Sequence, residues 1–220
     1  MESHLAAEHL QVIRTLMERS AVYRRALAPV MIYAGVVGLT AAVIGRVINI
    51  SSPVSFVAYW YAVAVVAVAG VLLLVRRQAW KEAEPFWSPP ARRVAQATLP
   101  ALTAGCLVGV LLLVLEERSV QPAFAATGTV PGWYGLIMLP CAWAVLYGCA
   151  LHAAGFFMPR GVKLFGWILI LGGLSCVLIS PASPQTWIGL GHGLMGAFFG
   201  VLHLAYGVYL YFTESRRNVS

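Results

Sequence analysis

Histidines are the residues of this chain whose type and position could support chemistry inside an apolar environment. His203 lies in the last apolar stretch at helical spacing with a set of glycines, which are Gly189, Gly193, Gly196, Gly200 and Gly207. His152 lies in a similar stripe of small residues, which are Cys141, Ala144, Gly148 and Gly155. Residues three and four apart share one face of a helix. Because small residues let membrane helices approach closely, we expect both histidines to face protein rather than lipid.

These stripes define a candidate ligand site. We expect His152 and His203 to approach a common cavity, with depths that differ by about 4 to 5 Å, and His192 to lie near its outer mouth. The candidate ligand-binding residues are His152, His203, His192, Tyr147, Phe199 and Tyr206. Three interpretations of the histidines stay open: a polar group that hydrogen-bonds another helix, a ligand or permeation site, and axial ligation of a b-type haem. The haem interpretation uses His203 with either His152 or His192.

Other kinds of chemistry have little support in the sequence. The chain has no Asp, and its eight acidic residues are Glu residues outside the apolar stretches or at their edges. Its four cysteines lie inside apolar stretches without a Cys-x-x-Cys pair, which favours a packing role. No hydrolytic or phosphate-binding motif is present. We therefore expect no enzymatic activity, no metal site and, unless haem is bound, no cofactor.

The composition predicts the elements that must position these residues. The chain is 60% hydrophobic and 10% charged, with a mean hydropathy of +0.80, whereas soluble domains are about 25% charged. We expect an all-α polytopic membrane protein with six transmembrane helices (27–213), preceded by a cytoplasmic amphipathic helix (1–26) and followed by a tail (214–220). The six predicted spans are Leu27–Val47, Val54–Val75, Val94–Leu115, Trp133–Phe157, Leu164–Ser180 and Trp187–Thr213. Pro140 and the pair Gly172-Gly173 suggest irregular fourth and fifth helices.

The basic residues predict the orientation. With six spans, all of the 15 Lys and Arg residues except Arg46 and Arg118 lie on one side, which should be cytoplasmic together with both termini. We expect a bacterial-type inner membrane, with Trp60, Trp133 and Trp187 in an outer aromatic belt. The net charge of +7 then reflects topology, and we expect the lipid bilayer, and no nucleic acid, as a partner.

Two cytoplasmic segments offer an alternative function. Residues 1–25 form an amphipathic pattern, and residues 76–93 combine three prolines with Trp80, Phe86 and Trp87. Such aromatic side chains should contact the membrane surface or the bundle, or bind a protein partner. The leading hypothesis is a membrane protein that binds or passes a small molecule through a histidine-containing apolar cavity. The alternatives are a non-catalytic subunit or regulator and a haem-containing electron-transfer subunit.

Overall fold

The computed structural model describes residues 27–50, 52–81, 83, 85–115, 118, 134–158, 160–178 and 184–217. The described residues form six helices, named in chain order: α1 (Leu27–Val47), α2 (Pro53–Lys81), α3 (Pro89–Leu115), α4 (Tyr134–Ala154), α5 (Arg160–Val177), and α6, in which Pro184–Met195 and Leu202–Arg217 are joined by a π-helical turn, Gly196–Val201. The predicted amphipathic helix over residues 1–26, and Trp133, lie outside the described residues.

Five of these helices are long and apolar enough to cross a membrane, which confirms the all-helical membrane protein as the fold class. The qualifying segments are Leu27–Val47, Pro53–Lys81, Ala91–Leu115, Ile137–Ala154 and Gly189–Thr213. The apolar part of α5, Gly161–Cys176, is shorter. At 1.5 Å per residue it extends about 24 Å, compared with about 30 Å for the hydrocarbon core of a bilayer.

Helices α1 and α6 form a close antiparallel pair. A Cβ atom added to Gly200 would lie 2.9 Å from the Cα of Leu39, and one added to Gly207 would lie 2.8 Å from the backbone nitrogen of Ile32. Carbon atoms in ordinary contact are about 3.5–4.0 Å apart, so only glycine permits this approach. The glycine stripe predicted on α6 is therefore confirmed as a packing surface.

The face of α6 that contacts α1 differs from the predicted stripe at two positions. A Cβ added to Gly193 would meet nothing within 4 Å. Leu204, rather than His203, lies against α1, since a Cβ added to Gly35 would be 2.6 Å from the Leu204 backbone nitrogen. A π-helical turn holds more residues than an α-helical turn and rotates everything that follows about the helix axis. The turn at Gly196–Val201 therefore moves His203 off the α1 face.

Helices α4 and α5 form a second close antiparallel pair. A Cβ added to Gly148 would lie 2.6 Å from the carbonyl oxygen of Gly166, and one added to Gly166 would lie 2.7 Å from that of Gly148. The irregularity predicted for the fifth helix at Gly172-Gly173 does not interrupt it, because α5 is helical through both residues. These glycines are used for close packing instead. Helix α4 likewise continues through Pro140.

Helices α2 and α3 are attached differently. Three aromatic side chains each donate a hydrogen bond to a backbone carbonyl oxygen of a neighbouring helix: Tyr33 (α1) to Val66 (α2) at 3.1 Å, Tyr61 (α2) to Cys106 (α3), and Trp143 (α4) to Gly105 (α3) at 3.0 Å. The rings of Tyr33 and Tyr61 lie over Gly70 and Gly109, where a Cβ would overlap them. Only 11% of the spanning segment of α2 and of α3 is buried, compared with 50% in α4. Helix α2 is thus separated from α1 and α3 by an aromatic side chain, whereas α3 also packs along α4.

Candidate functional site

A cavity of about 570 Å³ lies between α1, α2, α3, α4 and α6. Small-molecule sites in proteins have volumes of about 300–1,000 Å³. Aliphatic and aromatic side chains form most of the wall, and none of the described residues that line it is Asp, Glu, Lys or Arg. The cavity follows from the fold, because α2 approaches α3 and α4 at few points and is attached to α1 and α3 through the side chains of Tyr33 and Tyr61.

The connection between α2 and α3 contributes to this cavity. Phe86 and Trp87 line it, together with α2 residues from Trp60 to Val75. Of the alternatives predicted for these loop aromatics, contact with the bundle is the one seen for Phe86 and Trp87, although Trp87 is still 58% exposed. Trp80 does not line the cavity and is 70% exposed, with the Arg76 guanidinium 4.7 Å from its ring centroid.

His203 is the buried polar centre of the cavity wall. It is 1% exposed, and its ring stacks on Tyr147 with 5.4 Å between the ring centroids. Its Nδ1 is 2.8 Å from the carbonyl oxygen of Phe198, and its Nε2 is 3.2 Å from the hydroxyl of Tyr147. A carbonyl oxygen only accepts hydrogen bonds, so Nδ1 carries the hydrogen. In the neutral ring, Nε2 then accepts from the Tyr147 hydroxyl.

The π-helical turn produces this arrangement. It contains Phe198 and Phe199, and the backbone N–H of Leu202 bonds the carbonyl oxygen of Ala197. Phe199 also lines the cavity and lies 6.0 Å from the His203 ring. Three of the predicted ligand-binding residues, His203, Tyr147 and Phe199, therefore lie on one cavity wall. Because π-helical turns are rare and occur frequently at functional sites, this segment is the strongest structural indication of a site.

His192 lies in a separate cluster. It is 1% exposed, its Nε2 donates to the carbonyl oxygen of Ile50 at 3.2 Å, and its ring is 4.9 Å from Phe56 and 6.0 Å from Trp60. Trp60 does not belong to an aromatic belt as predicted. It is 2% exposed, because its ring packs inward among these residues, and it also lines the cavity. The Trp60 Nε1 and the His192 Nδ1 are both buried without a hydrogen-bond partner.

The remaining candidates lie outside the cavity lining. The ring of His152 lies 5.5 Å from that of Trp167, on the side of α4 that packs against α5. Tyr206 stacks on Phe165 with 4.7 Å between centroids, and its hydroxyl is buried without a partner. The structure therefore does not bring His152 and His203 to a common space, because His203 is turned toward Tyr147.

Axial haem ligation fits this geometry poorly. An axial histidine needs a ring nitrogen free to bind iron, whereas both nitrogens of His203 are hydrogen-bonded. The Nδ1 of His192 faces the α1 backbone, since a Cβ added to Gly45 would lie 2.6 Å from it. Neither histidine presents a free nitrogen to a space that a porphyrin ring could occupy.

Sequence reasoning missed the aromatic side chains that shape the cavity. Tyr61 and Trp143 were not candidates, yet both line it and both bond α3. A signal existed in Gly105 and Gly109, which lie one turn apart inside an apolar helix. Interior glycines of this kind expose backbone carbonyls to a neighbouring donor.

Comparisons of the chain with protein-family models, with curated proteins and with solved structures find no match. The fold and the site define the class of protein: an all-helical protein with helices long and apolar enough to cross a membrane, and with an apolar cavity whose wall holds the buried His203 bonded to the partly buried Tyr147.

Proposed function

We propose that this protein binds or passes a small apolar molecule, which occupies the cavity between α1, α2, α3, α4 and α6. The observation that carries the proposal is an apolar space of about 570 Å³ with a buried histidine–tyrosine pair on its wall. Ligand sites have this composition, because apolar walls provide affinity and a few polar groups set orientation.

The way the cavity is maintained supports a binding role. Protein interiors are packed to the density of organic crystals, and unfilled space loses dispersion contacts. In this protein Tyr33 and Tyr61 hold α2 at a distance from α1 and α3 through hydrogen bonds to backbone carbonyls. The space is therefore held open by specific contacts rather than left by poor packing.

We further propose that all six helices cross a bacterial-type inner membrane, with both termini in the cytoplasm. Support for α5 as a span comes from its antiparallel pairing with α4, which extends from Gly155 against Lys163 to Cys141 against Gly173. Helix α5 therefore crosses most of the layer that α4 crosses. With six spans, the excess of Lys and Arg falls on the side of the termini, as the positive-inside rule requires.

A cavity-filling substitution tests the binding role. Ala67 lines the cavity, whereas Ala62, on the same helix, is exposed and does not line it. Native mass spectrometry of protein extracted gently from membranes should show a co-purifying apolar molecule on the wild type and on Ala62→Phe, but not on Ala67→Phe. A wild-type protein without any bound molecule, or equal occupancy of the two variants, would contradict the proposal.

The partner-binding alternative rests on two segments. Residues 1–25 lie outside the described residues, and in the segment 76–93 the side chains of Phe86 and Trp87 line the cavity. These two side chains support a role for the loop in closing the cytoplasmic end of the cavity. Binding of a protein partner to either segment stays a prediction.

A further inference from the structure

We infer that the ligand of this cavity carries a neutral hydrogen-bond donor, in its simplest form a hydroxyl group on an apolar body. The inference rests on the proposed function and adds the chemical class of the ligand. It follows from the direction of the hydrogen bonds between Phe198, His203 and Tyr147.

The carbonyl oxygen of Phe198 sets the direction of these hydrogen bonds. This oxygen can only accept, so it takes the hydrogen of His203 Nδ1 at 2.8 Å. A charged imidazole would be a buried charge without an acidic partner, because the chain has no Asp and its Glu residues lie outside the apolar stretches or at their edges. The ring is therefore neutral, and Nε2 accepts the hydrogen of Tyr147 at 3.2 Å. The Tyr147 oxygen keeps lone pairs for a ligand but has no hydrogen left to donate.

The other hydroxyl groups of the cavity wall also donate their hydrogen within the protein. Tyr61 donates to the carbonyl oxygen of Cys106, and Thr98 donates to those of Val94 and Ala95, 3.1 Å from each. Among the described lining residues, all three hydroxyl-bearing side chains thus offer lone pairs only. A ligand group that only accepts hydrogen bonds, such as an ether or a carboxylate, would form no hydrogen bond with any of these three hydroxyl groups.

A hydroxyl suits the wall better than a charged donor. An ammonium group would also donate, but no acidic side chain among the described lining residues would pair with it. The indole N–H of Trp60, on the same wall, is buried without a partner and can donate to a ligand oxygen. A hydroxyl both donates and accepts, so it complements Tyr147 and leaves an acceptor for Trp60.

Competition between probes of equal chain length tests this inference. Protein in nanodiscs is photolabelled with a diazirine-bearing dodecanol, and unlabelled dodecanol, dodecyl methyl ether and dodecanoate compete at matched mole fraction in the bilayer. We expect dodecanol to compete about 3- to 10-fold more strongly than the ether, the ratio that one neutral hydrogen bond provides. Dodecanoate should be the weakest competitor.

The His203→Leu variant tests the hydrogen-bond direction. Without the His203 acceptor, the Tyr147 hydroxyl is free to donate to a ligand oxygen. The methyl ether should then compete more strongly relative to dodecanol, and the preference for dodecanol should disappear or reverse. His152→Leu, which alters a histidine outside the cavity lining, is the matched control and should keep the wild-type preference. An unchanged preference in His203→Leu would overturn the assignment of donor and acceptor.

The outcomes separate the inference from the proposed function. Equal competition by dodecanol and its methyl ether in the wild type, or stronger competition by dodecanoate, overturns the inference and leaves a binding cavity in place. Labelling of wild-type α2, α3 and α4 no greater than that of Ala67→Phe overturns the proposed function as well. The wild-type competition series decides the inference even where His203→Leu fails to fold.

Discussion

Replacing Gly207 with alanine should separate α1 from α6 and destabilise the protein, whereas the same change at Gly193 should not. A Cβ added to Gly207 would lie 2.8 Å from both the backbone nitrogen and the Cγ1 of Ile32. Because optimal contacts are about 3.5–4.0 Å, the two helices must move apart by about 0.7–1.2 Å. A side-chain rotation cannot relieve this overlap, since one of the contacted atoms belongs to the backbone.

The expected cost can be worked out from the two positions together. A gap of this size removes about a quarter to a half of the attraction across the contact, and overpacking of a protein interior typically costs about 1–3 kcal/mol. Alanine is favoured over glycine in a helix by about 0.5–1 kcal/mol. That gain applies equally at Gly193, where an added Cβ meets nothing within 4 Å, so it cancels in the comparison. Gly207→Ala should therefore be less stable than Gly193→Ala by about 1–3 kcal/mol.

The free energy of unfolding can be measured in mixed micelles by titration with sodium dodecyl sulfate, followed by near-ultraviolet circular dichroism. The two alanine variants serve as controls for each other, because they carry the same substitution on the same helix. If Gly207→Ala were as stable as Gly193→Ala, the close glycine-mediated contact between α1 and α6 would be refuted. The packing of α6 that positions His203 would then be refuted as well.

Other parts of the structure can be tested in the same way. His203→Leu should lower the free energy of unfolding by about 1–3 kcal/mol, because it leaves the Phe198 carbonyl and the Tyr147 hydroxyl unpaired. His152→Leu should have a smaller effect, because the Nδ1 of His152 has no hydrogen-bond partner to lose. Chemical denaturation of both variants measures the difference. Trp143→Phe removes the 3.0 Å hydrogen bond to Gly105 and should reduce stability by about 0.5–1.5 kcal/mol. Amide hydrogen exchange should then be faster in α3 than in α5. Equal exchange in the two helices would contradict the role of Trp143 in attaching α3. A green fluorescent protein fused after residue 220 should fluoresce and an alkaline phosphatase fused there should be inactive, since the excess of Lys and Arg on one side places the C-terminus in the cytoplasm. The opposite pattern would contradict the proposed orientation.

Local spacing in the sequence was sufficient to predict which helices exist and that α6 packs through glycines. Spacing could not predict which way His203 points, because the π-helical turn at Gly196–Val201 changes the phase of the helix after it. The α-helical extrapolation placed His203 beside Gly207 on one stripe, whereas the turn puts Leu204 there. A turn of this kind has no signature in the local spacing of residues.

The same residue type has two opposite effects in this bundle, and the difference explains the cavity. Where a glycine faces the backbone of the next helix, as Gly148 faces Gly166, the two helices close to contact. Where a glycine faces an aromatic ring, as Gly109 faces Tyr61, the ring occupies the glycine's space and bonds a nearby carbonyl, so the helices stay a side chain apart. The first kind of contact builds the rigid pairs α1–α6 and α4–α5. The second attaches α2 to α1 and α3 at a distance, and the volume beside α2 is the space that the His203–Tyr147 pair lines. A small apolar molecule would fill that volume without moving these pairs, so the proposed binding role rests on the packing of the bundle as well as on the histidine.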